Sequence, residues 1–132
     1  MNPAINVLLV EDSPDDYFFF ERALKKTGIH AQLFAASDGT EAIQFLGRQG
    51  RFINAEQAPR PDVIFLDLKM PGANGFDVLS WMRRQNLGVR VIVLSGSEEP
   101  QDQKKALELG AASYFVKPIT PEQIADVLQQ CV

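Results

Sequence analysis

One cysteine, one histidine and one tryptophan are all that this chain of 132 residues holds of those types, and the scarcity excludes a good deal. A single thiol, Cys131, beside the C-terminus, can build neither a disulfide framework nor a thiolate metal cluster within the chain. His30, in the turn Gly28-Ile29-His30, reads as a solvated loop residue rather than a ligand or a catalytic base. No apolar run approaches the roughly 20 residues that cross a bilayer, and the N-terminus lacks a basic stretch followed by an apolar one. A cytoplasmic protein without a membrane partner is therefore expected. Lys and Arg number 13 against 17 Asp and Glu, a net charge of −4, and no basic block of nucleic-acid-binding length occurs. Direct binding to DNA or RNA is not expected.

What remains is an ordinary globular composition, 45% hydrophobic and 23% charged. At 14.7 kDa the chain has room for one domain, residues 1–132. Short β-rich runs alternate with helical patterns, the rhythm of parallel strands joined by crossover helices. The expected strands are Ile5–Val10, Gln32–Ala36, Val63–Leu66, Val91–Leu94 and Ser113–Val116. Near-continuous apolarity in the first, third and fourth predicts central strands covered on both faces. Ser13-Pro14-Asp15-Asp16 offers an N-cap, a proline at the first helical position and acids in the first turn of a helix ending near Lys25-Lys26-Thr27-Gly28. A second helix opens at Asp38-Gly39-Thr40-Glu41 and runs through Leu46, a third covers Phe76 to Gln85 and a fourth Pro100 to Leu109. The fifth opens on the capping-box pattern Thr120-Pro121-Glu122-Gln123. The result is a (βα)5 chain. With right-handed crossovers it predicts a doubly wound, flavodoxin-like α/β fold in three layers, sheet order 2-1-3-4-5, with ligands beyond the carboxyl ends of the strands.

Chemistry gathers at those ends. The first strand delivers Glu11-Asp12, the third Asp67, the fourth Ser95 and the fifth Lys117-Pro118. Carboxylates brought within a few Å repel unless a cation neutralises them, and a hard divalent ion such as Mg²⁺ accepts oxygen ligands of this kind. Lys117 supplies a fixed positive charge that can pair with Asp67 at rest or with a phosphoryl oxygen. A carboxylate so placed can attack phosphorus and form an aspartyl phosphate, which Ser95 is positioned to hydrogen-bond.

The stretches Leu9-Val10-Glu11-Asp12-Ser13, Leu66-Asp67-Leu68-Lys69-Met70-Pro71-Gly72 with Asn74-Gly75, and Val116-Lys117-Pro118 resemble the receiver domain of two-component response regulators, and the resemblance covers essentially the whole chain. It implies a signalling phosphoacceptor rather than an enzyme in the usual sense. Asp67 would take the phosphoryl group from a histidine kinase. Asp12, Asp67 and the backbone carbonyl of Lys69 would bind Mg²⁺, with Mn²⁺ as a substitute, and Glu11 would hold a metal-bound water. Glu11 stands where Asp is more frequent in the family. The resemblance also implies a switch pair, Ser95 and Tyr114, that remodels the surface of the fourth helix, fourth strand and fifth helix. It implies a cis Lys117-Pro118 bond, and it places Lys69 and Ser97 where the family tunes dephosphorylation.

Surface features bear on partners. Helical periodicity puts Phe19, Phe20, Ala23 and Leu24 on the inner stripe of the first helix with Tyr17 at its flank, and turns Phe18 outward as a candidate partner contact, alongside Tyr114. The connection from Gly47 to Pro61 exceeds the usual αβ length of about 2–6 residues, and is expected to extend the second helix and then run as a solvated loop. That length and the opening Glu11-Asp12-Ser13-Pro14-Asp15-Asp16 are similar to stand-alone receivers serving bacteriophytochrome-type histidine kinases. With the fifth helix reaching Val132, no effector domain is expected, so output would act in trans on a downstream protein, a phosphotransfer protein or a homodimer partner. Two other classes fit these residues less well. A Mg²⁺-dependent phosphohydrolase would want a second acid where Lys69 stands, and a flavin module would want a phosphate-cradling loop after the first strand.

Overall fold

The computed structural model describes residues 4–54, 58–70, 74–96 and 99–131. Pro71, Gly72, Ser97, the stretch 55–57 and Val132 lie outside them. Strands β1 (Ile5–Val10), β2 (Ala31–Ala36), β3 (Val63–Asp67), β4 (Arg90–Ser95) and β5 (Ser113–Val116) alternate with helices α1 (Pro14–Lys26), α2 (Gly39–Gly47), α3 (Gly75–Arg84), α4 (Pro100–Glu108) and α5 (Pro121–Gln129). The sheet is wholly parallel in the order β2-β1-β3-β4-β5, as the alternating pattern predicts. No helix among the described residues is long and apolar enough to cross a membrane.

The strand period of two sorts the central strands between two cores. Leu8, Val10, Ile64, Leu66, Val91 and Val93 face α2, α3 and α4, whereas Val7, Leu9, Val63, Phe65, Ile92 and Leu94 face α1 and α5 through Phe20, Leu24, Ile124 and Leu128. Residues buried on both faces explain why β1, β3 and β4 read as unbroken apolar runs. Caps fix the helix starts. The Ser13 hydroxyl accepts from the Asp16 amide at 3.3 Å, and Asn74 with Asp77, like Thr120 with Gln123, forms a reciprocal capping box.

Two expectations need correction. Phe19 is not on the inner stripe: it is 61% exposed, beside Phe18 at 53%. The stripe that α1 buries is Phe20, Ala23 and Leu24, and Phe19, one residue or about 100° from Phe20, falls over its edge. The connection after α2 does not extend the helix past Gly47, and although most of its described residues are exposed, Phe52 and Ala58 are not. Arg48 takes a left-handed conformation (φ 52°) that ends α2 at Gly47, and a 3-10 turn over Gly50–Phe52 follows. That turn buries Phe52 edge-on against Phe45, with ring centroids 5.1 Å apart, and Ala58 is buried as well. Burial of an aromatic ring justifies the extra chain length.

Candidate functional site

Register decides which side chains meet. Val10 is level with Leu66 and Asp67 with Leu94, so Glu11 and Asp67 leave adjacent strands at the same height. On the other side Ser95 is level with Val116, and the Lys117 amide donates to the Ser95 carbonyl at 2.8 Å, which continues the pairing to the lysine itself. The carboxyl ends of four strands therefore converge on one crevice. It is the place where the strand order reverses, and where open α/β sheets bind ligands.

The Lys117 ammonium lies at the centre. Its three N–H groups donate to Glu11 Oε1 at 2.6 Å, Asp16 Oδ2 at 3.0 Å and Asp67 Oδ2 at 3.2 Å. The second Glu11 oxygen accepts from the Ser13 amide at 3.2 Å, and Asp67 Oδ1 accepts from the Lys69 amide at 3.2 Å. Glu11, Asp67 and Ser95 are buried and Asp12 is exposed. The Lys117-Pro118 peptide is cis, as the resemblance implies.

Close packing of backbone holds the Asp67 loop in place. The Gly75 amide donates to the Leu68 carbonyl at 3.0 Å. A Cβ on Gly75 would lie 2.6 Å from the Asp67 carbonyl oxygen and 2.7 Å from the Leu68 Cα. No real side chain fits there, so glycine at the first position of α3 is a steric requirement of the position of the Asp67 loop.

Electrostatics reflect crowding. Burial, reinforced by the charge of Asp67, pushes Glu11 up to about 7 against the pull of the Lys117 bond. Burial also penalises the Lys117 ammonium, but its hydrogen bonds to Glu11 and Asp16 and the charges of Asp67 and Glu11 outweigh it, and the lysine is held above its ordinary value. The two shifts oppose each other, because a neutral Glu11 would weaken the contact that raises Lys117. The 2.6 Å separation is that of a charge-assisted bond.

Carboxylate oxygens of Glu11, Asp12 and Asp67 lie within 4.8 Å of one another. This all-oxygen donor set suits a hard divalent cation. Of the residues singled out in the sequence, Glu11, Asp12, Asp67, Ser95 and Lys117 thus gather at one edge. Lys69 reaches the crevice through its backbone, Tyr114 is half-buried on β5 against the α2/α3/α4 core, and Phe18 is exposed on α1 with Arg22 5.6 Å from its ring.

Asp16 was not anticipated. In the sequence it looks like a first-turn acid favoured by the helix dipole. Its partner is 101 residues away, and only the fold brings them together. Behind it a cavity of about 240 Å³ opens under Lys117, floored by Leu9 and Leu94.

Comparison with known proteins agrees with this architecture. Residues 7–129 match the family described as the response regulator receiver domain. The nitrate/nitrite response regulator NarL of Escherichia coli K12 is 35% identical over 127 residues, covering 94% of this chain and 53% of NarL, so the chain spans about half of that relative. Response regulator Rcp1 of Synechocystis is 36% identical over 119 residues, 88% of this chain and 78% of Rcp1. The crystal structure of its Mn²⁺-bound form superposes with a TM-score of 0.78 at 32% identity, covering 97% of this chain and 91% of that one. The bacteriophytochrome response regulator AtBRR gives a TM-score of 0.85 at 32% identity, over 98% and 94% of the two chains. With the family match over residues 7–129 and the strand order in agreement, the chain belongs to the response regulator receiver domain family.

Proposed function

We propose that the chain is a stand-alone receiver of the kind that serves bacteriophytochrome-type kinases, and that it takes a phosphoryl group onto Asp67 from a phosphohistidine of a histidine kinase or phosphotransfer protein. The observation that carries this reading is the ammonium of Lys117 at 3.2 Å from Asp67, with Glu11 and Asp12 close enough to share a cation with it. An Asp67 oxygen attacks phosphorus, the P–N bond of phosphohistidine breaks, and the imidazole leaves with a proton. Lys117 faces the oxygens on which charge accumulates.

Mg²⁺, or Mn²⁺ in its place, fits the donor set, with Asp12, Asp67 and the Lys69 carbonyl as ligands and Glu11 acting through water. When bound, it would neutralise the carboxylates and the phosphoryl charge. Ser95, buried one residue beyond Leu94, the partner of Asp67, is the hydroxyl proposed to draw toward the phosphoryl group, with Tyr114 following. Exposed Phe18 and the Tyr114 face are the proposed contacts for the kinase and for a downstream protein target, with a homodimer as another mode of output. In this reading residues 1–132 act as one receiver domain, in the cytoplasm. It is supported by relatives such as Rcp1 and AtBRR, most of whose length the chain covers.

The test is incubation with Mg²⁺ and acetyl phosphate followed by intact mass. The wild-type chain gains one phosphate and Asp67→Asn gains none; equal gain by both would refute Asp67 as the acceptor.

A further inference from the structure

We propose that a cavity at the amino ends of β3 and β4, at the opposite end of the sheet from Asp67, binds a small organic anion: a carboxylate on a compact apolar body, held by Arg48 and Arg60. The proposal does not depend on the phosphoacceptor reading of Asp67.

The cavity, of about 280 Å³, lies where the end of α2, the last residues of the connection and the turn before β4 meet. Its walls are apolar, with Phe45 and Pro61 buried and Leu87 and Val89 half-buried. Arg48 and Arg60, both exposed, are the charged side chains among the described residues that line it, and no acid joins them. In a chain of net charge −4 that is a local excess of the opposite sign. Arg51 has Glu41 at 2.6 Å and Lys117 has three carboxylates, whereas neither Arg48 nor Arg60 has an ion-pair partner among the described residues. Asp62, two residues beyond Arg60, gives an oxygen to the Asn6 amide at 2.8 Å instead.

The wall beside Arg48 is fixed without a ligand. Arg48 ends α2 in a left-handed conformation (φ 52°), and its Nε donates to the Ala58 carbonyl at 3.4 Å. The Ala58 amide in turn donates to the Asn54 carbonyl at 3.1 Å. A guanidinium matches a carboxylate with two parallel N–H···O bonds, so the two arginines call for an anion of that shape. The walls call for an apolar body behind it. A cavity of about 150 Å³ takes a benzene ring, so this one has space for a ring on a short acid-bearing arm but not for a helix. A free small molecule is therefore the occupant that size and charge together fit.

Phenylacetate, titrated into the ¹⁵N-labelled chain and followed by amide NMR shifts, tests this. Saturable shifts are expected at Phe45, Arg48, Arg60 and Val89, with a Kd of about 1 mM, ordinary for so small a ligand. Phenylacetamide, the neutral analogue, should bind the wild-type chain about 5-fold or more weakly, and the Arg48→Gln/Arg60→Gln double variant should bind phenylacetate with the same loss. Both arginines are exposed, so the double variant should keep the wild-type spectrum elsewhere. Acetate, which has the charge without the ring, should not saturate. Absence of a saturable shift at these residues by about 20 mM, twenty times that Kd, overturns the proposal. So does an unchanged affinity in the double variant, or phenylacetamide binding as tightly as phenylacetate, either of which would leave an apolar slot without anion recognition. Shifts centred on Lys117 rather than Arg48 and Arg60 would also overturn it, because the anion would then be seeking the crevice.

Discussion

Lys117 and Arg51 each approach a glutamate oxygen to 2.6 Å, one at the strand ends and the other on the connection between α2 and β3. Distance does not distinguish the two contacts. Lys117 is 20% exposed and faces a nearly buried Glu11, whereas Arg51 is 67% exposed and faces Glu41 at 23%. Around Lys117 three carboxylates converge from β1, α1 and β3, and there the cation resolves a conflict of charge that the fold itself creates. Around Arg51 water screens a single pair, and the neighbouring Phe52 is what the connection buries. The lesson is that burial and convergence, rather than a short ion pair, mark the functional site.

Substitutions can break or sharpen this contrast. The largest effect is expected at the wall of the crevice: Gly75→Ala sets a Cβ against backbone at 2.6 Å and should cost about 3 kcal/mol or more in chemical denaturation, at the upper end of overpacking. On the connection, by contrast, a Cβ on Gly50 meets nothing closer than 3.9 Å. Only its φ of +58° opposes Gly50→Ala, at about 1 kcal/mol.

Next in size is Lys117→Met. It leaves Glu11 and Asp67 without their cation and should destabilise the metal-free chain by about 2 kcal/mol, less than for a fully buried pair because water reaches the lysine. The loss should also depend on pH. Glu11 in the folded chain is raised from 4.5 to about 7, so it binds a proton more tightly folded than unfolded. Its contribution to stability is full below about 4.5 and is lost as pH rises through about 7. Without Lys117 that penalty grows, so melting in EDTA should show a larger deficit for Lys117→Met at pH 8 than at pH 5, and added Mg²⁺ should reduce it. A pH-independent deficit would mean that the lysine acts by packing alone.

The smallest effect belongs to the exposed pair. Arg51→Ala should change stability by about 0.5 kcal/mol, and less at 1 M salt. A loss comparable to that of Lys117→Met would remove the basis of the comparison.

Much of this was legible in the sequence. Strands buried on both faces announce themselves as apolar runs, and the residue that ends each run is necessarily the one presented at the sheet edge, so Glu11, Asp67, Ser95 and Lys117 could be assembled before any coordinates. Capping boxes are local and were equally visible at Thr120. Asp16 was not, because its meaning depends on a contact spanning 101 residues and on the rotation of α1. The same rotation misplaced Phe19, since a helix that buries a narrow stripe offers four neighbouring aromatics, Tyr17 to Phe20, with little to choose between them. Phe52 and Ala58 were hidden by their setting: polar and glycine-rich neighbours suggest a solvated loop even where one ring inserts into the core.

The most direct measurement places the phosphoryl group on a residue. An acyl phosphate is reduced by borohydride to an alcohol, so the phosphorylated chain, reduced and mapped by peptide mass spectrometry, should carry homoserine at position 67 and nowhere else. Homoserine at position 12, or an intact Asp67 in a chain that has gained phosphate, would contradict the assignment of Asp67 as the nucleophile held by Lys117.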